Sequence, residues 1–415
     1  MKKILIFLAA ILQVHSQLLE INVDVEIQQP EESPEQSPGQ LPEPLPAQLT
    51  EDGRLNFVAL ANKYGFQASE ESIITEDGYI LSLFHIHGNP CKPMLLIHGN
   101  TGTGDCWIVR GNNSLAITLA RRGYDVWVAN QRGSRYSRKH IFLDPDLQPE
   151  KFFNFTFYEL AVYDMPPVID FILQETGQEQ LTAIGWSVGT TQLYVLGAEK
   201  PEYNDKIKLA VSLAPISVLQ NLRGLVKWAA AIGPEGLELF KLANVQELIS
   251  FHQTAPALQA ICLQPGGYEL CFQILFFSVF GYDPDGLEPE FQNTLYGHFP
   301  GGSSRKLFSH LVQVIKRNKF AKYDYGFERN LIVYNSTEPP EFDLRKVTMK
   351  SALFMGKEDF LGTVADAELL KGLLPNVVHY QVLPYEKFNH IDFVWGRYAP
   401  DNFQPYLMEV LDKYE

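Results

Sequence analysis

Hydrophobic positions along this chain fall into two stretches of one kind, separated by a stretch of another. In the first, short apolar runs at 79–86, 94–98, 126–129, 181–184 and 207–213 predict strands. Between them, 114–122 and 190–199 carry helical spacing, and Gly123 ends the former. Thr156-Phe157-Tyr158-Glu159 forms a capping box that opens another helix, which Pro166-Pro167 should bend or interrupt. The same alternation returns late, with strands at 351–355 and 377–383, a helix at 363–372 and a closing helix from Gln404. Strands alternating with helices predict an α/β fold: a mostly parallel central sheet with helices on both faces. The stretch between, 218–343, is rich in Leu, Phe, Gly and Pro, and 272–280 is almost continuously apolar. It is expected to be an inserted, mainly helical cap or lid that splits the core into 53–217 and 344–415. The 272–280 run then either touches lipid as part of a lid or is a buried cap helix.

The first fifty residues follow neither pattern. Lys2 and Lys3 precede an apolar run at 4–12, and Val14-His15-Ser16 supplies small residues for cleavage. Residues 1–16 therefore predict a secretory signal peptide, too short to span a bilayer. Residues 17–52 are Pro-, Glu- and Gln-rich and predict an extended linker or removable pro-segment. No later run approaches the length of a spanning helix, so no transmembrane anchor is expected. A net charge of −15 argues against nucleic acid, whose phosphates need a basic face. Hydrophobic content of 46% is enough for a large core. In the secretory route the four cysteines become disulfide candidates. Cys262 and Cys271 span the turn-rich Pro265-Gly266-Gly267, Cys91 and Cys106 flank the 94–98 strand, and all three pairings stay open. Asn112, Asn154 and Asn335 begin glycosylation sequons.

The chemistry centres on Gly185-Trp186-Ser187-Val188-Gly189, a G-x-S-x-G sequence between a predicted strand and a predicted helix. Such an elbow lifts a serine oxygen above the sheet and sets the start of a helix beneath it. On this fold an acid and then a histidine should follow, each after a late strand. Asp359 follows the 351–355 strand and His390 follows the 377–383 strand. Glu358 is the alternative acid, Asp392 is too close to His390 to orient its ring, and His379 lies within a strand. The oxyanion donors are expected to be the backbone N–H of Val188 and of Asn100, in the Gly99-Asn100-Thr101-Gly102 turn. No metal or cofactor is called for. His85 and His87 share a strand face without a ligand motif, and Asp283-Pro284-Asp285-Gly286 lacks calcium-loop spacing and reads as a turn.

Several motifs in fixed order give the chain a resemblance to the acid lipase family of gastric and lysosomal lipases. They are the TEDGYIL run at 75–81, NQRGSRYSRKH at 130–140, Tyr163-Asp164-Met165-Pro166, and Asn389-His390-Ile391-Asp392-Phe393. The resemblance covers about residue 53 to the end. It implies an α/β-hydrolase core with a cap and lid, a Ser187–Asp359–His390 triad, and a Cys262–Cys271 disulfide in the cap. It also implies hydrolysis of lipid esters, triacylglycerol or sterol ester, at a lipid–water interface. Two departures stand out. The family's usual G-H-S-Q-G carries Trp186 and Val188 here, and its H-G-L-L loop is His98-Gly99-Asn100-Thr101. Backbone donors survive both changes, while Asn100 and Thr101 make the acyl entrance more polar. The expected product of the gene is thus a secreted lipase, with the lysosome as alternative destination. The rival expectations are a carboxylesterase for soluble short-chain esters and a catalytically silent lipid-binding or storage protein.

Overall fold

The computed structural model describes residues 48–414; the expected signal peptide, and the leader up to residue 47, lie outside the described residues. The chain is already tied down at Thr50, whose hydroxyl meets that of Thr294 at 2.7 Å.

One sheet of eight strands organises the molecule. In chain order these are β1 (Ala68–Ile74), β2 (Ile80–Ile86), β3 (Asn89–Ile97), β4 (Tyr124–Ala129), β5 (Leu181–Trp186), β6 (Ile207–Leu213), β7 (Ser351–Met355) and β8 (Val377–Val382). Their spatial order is β1-β2-β4-β3-β5-β6-β7-β8. β2 runs antiparallel to both neighbours, and every pair from β4 to β8 is parallel.

The main helices are α1 (Phe57–Lys63), α2 (Leu115–Arg121), α3 (Met165–Thr176), α4 (Val188–Glu199), α5 (Gly224–Leu242), α6 (Phe251–Cys262), α7 (Arg305–Arg317), α8 (Phe327–Tyr334), α9 (Val364–Leu373) and α10 (Gln404–Tyr414). The sheet is buried on both sides, as parallel sheets require. Along β3, Met94 and Leu96 face one core with α2 and α10, while Leu95 and Ile97 face the other with α3, α4 and α9. The expected α/β architecture is therefore present, with the helices α5 to α8 inserted between β6 and β7.

Local signals explain most boundaries. The capping box is formed: Glu159 accepts from the Thr156 N–H at 2.7 Å, and the Thr156 hydroxyl accepts from Tyr158 at 3.1 Å. The interruption expected at Pro166-Pro167 takes the form of a widened π turn at Leu160–Asp164. The prolines then fall in the first turn of α3, directly after that widened turn. β1 and α1 were not legible beforehand: β1 is an edge strand reading ASEESII, with too many polar residues to show a pattern.

Three of the sequence motifs meet at one buried cation. Arg132 donates to Asp164 through Nε at 2.7 Å and to Asp77 through Nη1 at 2.5 Å and Nη2 at 2.8 Å, and its guanidinium lies 3.9 Å from the centre of the Tyr79 ring. This network ties β2, the turn after β4 and the start of α3 together.

Cys262 and Cys271 are bonded in the cap, with Cα atoms 5.8 Å apart. Cys91 and Cys106 are not paired; the first is exposed on β3 and the second buried. Asn112, Asn154 and Asn335 all lie on the surface. Among the described residues no helix is long and apolar enough to cross a membrane.

Candidate active site

Ser187 sits on the turn between β5 and α4 with φ 55° and ψ −124°, a conformation that L residues rarely adopt and that costs of order 1–3 kcal/mol. Its N–H donates to Leu213 of β6 at 3.0 Å, which anchors the turn to the sheet. The flanking glycines are sterically required. A Cβ on Gly189 would lie 2.3 Å from the Ile97 carbonyl oxygen, and one on Gly185 would lie 2.7 Å from Gly189. α4 then runs through the core with Val188 to Ala198 buried.

The structure brings the serine, the histidine and the acid together from three strand ends. His390 Nε2 lies 2.9 Å from Ser187 Oγ, and His390 Nδ1 lies 2.9 and 3.0 Å from the two oxygens of Asp359. Asp359 is itself fixed, because its Oδ1 accepts the N–H groups of Leu361 and Gly362 at 2.8 Å each. With Nδ1–H held by a carboxylate, Nε2 is left as the acceptor facing the hydroxyl. Asp359 and His390 are each 1% exposed and Ser187 is 8% exposed, so the site is covered in this conformation. The Phe280 ring lies nearly parallel to the imidazole, 12° apart in plane with centroids at 5.9 Å.

The two expected backbone donors, Val188 and Asn100, lie in turns at the ends of β5 and β3. Val188 is the first residue of α4, so its N–H has no intrahelical partner. Asn100 lies in a turn closed by the Gly102 N–H donating to the Gly99 carbonyl at 3.2 Å. Among the described residues neither amide donates to another group. His98 braces this loop from below. Its Nδ1 donates to the Gly99 carbonyl at 2.8 Å and its Nε2 accepts the Gln131 N–H at 3.1 Å. Burial lowers its pKa to about 4, which keeps the ring neutral and this donor–acceptor pattern intact.

The alternatives weighed from sequence are engaged elsewhere. Glu358 pairs with Arg223 at 3.0 Å. His379 packs on Phe354. His85 bonds Asp125 at 2.7 Å and stacks on Trp127 with ring centroids 3.5 Å apart. Asp283 and Gly286 close a turn at 3.1 Å. Asp392 accepts the Asn389 N–H at 2.7 Å, a structural role inside the histidine loop.

Sequence reasoning missed the residues that hold His390 in place. The Trp186 indole N–H donates to the His390 carbonyl at 2.9 Å, so the elbow grips the histidine loop directly. The His390 N–H donates to the Phe280 carbonyl at 3.1 Å, which ties the same loop to the insertion. The only forewarning in sequence was Trp186 standing where the family elbow usually has a histidine. The 272–280 run is half buried: Phe272 and Phe277 are 1% exposed, while Ile274 is 58% exposed.

A strained serine between strand and helix, with the acid and histidine after β7 and β8 of a mostly parallel sheet, defines an α/β-hydrolase. Comparison with known proteins agrees and narrows the class. Residues 57–111 match the model of a partial α/β-hydrolase lipase region, and residues 92–241 match the α/β hydrolase fold. Lipase 1 of Drosophila melanogaster is 31% identical over 373 residues, covering 88% of this chain and 81% of that protein. Gastric triacylglycerol lipase of Rattus norvegicus is 33% identical over 362 residues, covering 84% and 89%. Among solved structures, a putative lipase from Sulfolobus solfataricus shares the fold with a TM-score of 0.55 at 15% identity, covering 84% and 94%. The chain belongs to the acid lipase family of α/β-hydrolases, and by class it is an ester hydrolase.

Proposed function

We propose that this protein is a secreted lipase that cleaves the ester bonds of triacylglycerols or sterol esters through an acyl-enzyme on Ser187. The observation that carries the reading is the single row Ser187 Oγ, His390 and Asp359, closed by contacts of 2.9 Å on each side of the imidazole. Ser187 Oγ attacks the ester carbonyl carbon while His390 Nε2 takes its proton. Negative charge builds on the carbonyl oxygen, where the amides of Asn100 and Val188 meet it. The ester C–O bond breaks as His390 returns the proton to the leaving alcohol. Water, deprotonated by His390, then attacks the acyl carbon and frees the fatty acid and the serine. Asp359 holds the imidazole and stabilises its charged form throughout.

The low exposure of Ser187 means that the insertion must shift before a bulky ester reaches it. Residues 218–343 serve in this reading as the cap and lid. The lipid substrate is supported by the lipase relatives, and secretion by the apolar leader at 4–12.

The test is labelling with a serine-reactive fluorophosphonate, followed by a panel of lipid and soluble esters. Wild-type protein should label and hydrolyse emulsified long-chain glycerides, and Ser187→Ala should lose both activities, by about 10⁶-fold in kcat. Equal labelling and hydrolysis by Ser187→Ala would end the proposal. Hydrolysis confined to short soluble esters would make the protein a carboxylesterase.

A further inference from the structure

The insertion reaches the histidine loop through residues 280–286, and the contact is closer than cap packing alone needs. The His390 N–H donates to the Phe280 carbonyl at 3.1 Å, and Asn389 Nδ2 donates to the Gly281 carbonyl at 3.0 Å. A Cβ on Gly281 would stand 1.8 Å from the Glu358 carbonyl oxygen, so this turn of the insertion lies directly against the acid loop.

Below these bonds two carboxyl groups face each other. Asp283 is 0% exposed and Asp392 is 2% exposed. One oxygen of each is used: Asp392 Oδ2 accepts the Asn389 N–H at 2.7 Å, and Asp283 Oδ1 accepts the Tyr385 hydroxyl at 3.2 Å. The other two, Asp392 Oδ1 and Asp283 Oδ2, have no donor among the described residues. They lie 2.8 and 2.6 Å from the point where a Cβ on Gly286 would sit, which leaves that position to glycine. The two unpartnered oxygens thus converge on one point, and two buried carboxyls so placed oppose each other's ionisation.

The surrounding charges offset the pair only in part. Arg110 faces Asp392, but its Nη1 donates to Glu288 at 2.5 Å and its Nε to the Trp395 carbonyl. Arg397 acts on Arg110 and Glu288, and its own backbone N–H donates to the Gly286 carbonyl at 2.8 Å. Lys387 is bonded to Asp285 at 2.6 Å, and Asp285 adds a further negative charge beside Asp283. The Tyr268 and Tyr385 phenols facing the pair are neutral donors, their own pKa values raised chiefly by burial. Burial first, then the charge of Asp283, holds Asp392 well above the ordinary 3.8. Burial also raises Asp283, against the pull of Tyr385 and Lys387.

We infer that Asp283 and Asp392 are positioning residues for His390, sharing one proton that fastens the cap to the histidine loop, and that loss of this fastening sets an upper pH limit on the reaction of Ser187. The inference rests on the reading of Ser187 and His390 as catalytic. The folded pair binds its proton more tightly than the unfolded chain does. Its contribution is therefore complete below 3.8, the ordinary aspartate value, and is lost as pH rises through the raised value of the pair. When the second carboxyl ionises, repulsion parts the cap turn from the loop that carries His390.

The experiment measures the fluorophosphonate labelling rate and the unfolding temperature of the full chain against pH, for wild type, Asp283→Asn and Asp283→Ala. In Asp283→Asn the amide accepts from Tyr385 and donates to Asp392 at every pH. The fall of the wild-type rate at high pH should move upward by more than about one pH unit, with the acidic-side rate retained. Asp283→Ala should label more slowly at every pH, because it fastens nothing. Coincident high-pH limbs for wild type and Asp283→Asn would overturn the inference. A Ser187→Ala control that labels as fast as wild type would sink the catalytic reading instead. The unfolding temperature would then still read the clasp, with the difference between wild type and Asp283→Asn widening as pH rises, and a constant difference counting against it.

Discussion

Helices α4 and α5 carry almost opposite instructions. α4 follows Ser187 and is buried from Val188 to Ala198, with no exposed polar face. α5 opens the insertion and holds Trp228, Leu239 and Leu242 at 72, 67 and 76% exposure. One helix is locked between sheet and core, where a single added carbon at Gly189 would collide with Ile97. The other shows large apolar side chains to the surroundings, which a water-facing cap helix would not need. The site thus divides into a serine on a rigid framework and an insertion packed over it. His390 belongs to both, gripped by Trp186 from the elbow and by Phe280 from the roof.

Asp359→Asn breaks the rigid half most directly. It keeps the shape but favours the wrong imidazole tautomer, and kcat on a soluble ester should fall about 10⁴-fold. An unfolding temperature that drops with it would instead mark Asp359 as structural. Arg132→Gln tests the framework away from the site. It leaves Asp164 buried without its cation, and urea denaturation should show a loss of about 3–5 kcal/mol. A change below about 1 kcal/mol would mean that the motif network is dispensable to the fold. The smallest effect is expected in the roof. Trp228→Ser with Leu239→Ser should leave stability within about 0.5 kcal/mol and soluble-ester hydrolysis unchanged, while hydrolysis of emulsified triacylglycerol falls. Equal loss on both substrates would remove the distinction between the two helices.

Much of this was readable in the chain because its signals are local. Short, mostly apolar runs mark β4, β5 and β6 wherever they lie, and Thr156 and Glu159 make a cap with no help from elsewhere. The strand-to-helix elbow needs small residues on either side of Ser187, so the glycines announced it. Asp359 and His390 followed from chain order, since each must come from a later strand end. β1 stayed hidden because an edge strand answers to one neighbour only, and its polar residues show no alternation.

By itself, the order of residues determined the strands, the elbow and the places of Ser187, Asp359 and His390, because each depends on backbone geometry within a few residues or on the succession of strands. Only the tertiary structure decided how His390 is held, since Trp186, Phe280 and Asp283 reach its loop across long chain separations. Their indole, carbonyl and carboxyl groups carry no pattern of their own. They gain meaning when the sheet and the insertion are folded against each other and water is excluded, because burial turns two ordinary aspartates into a pair that must share a proton.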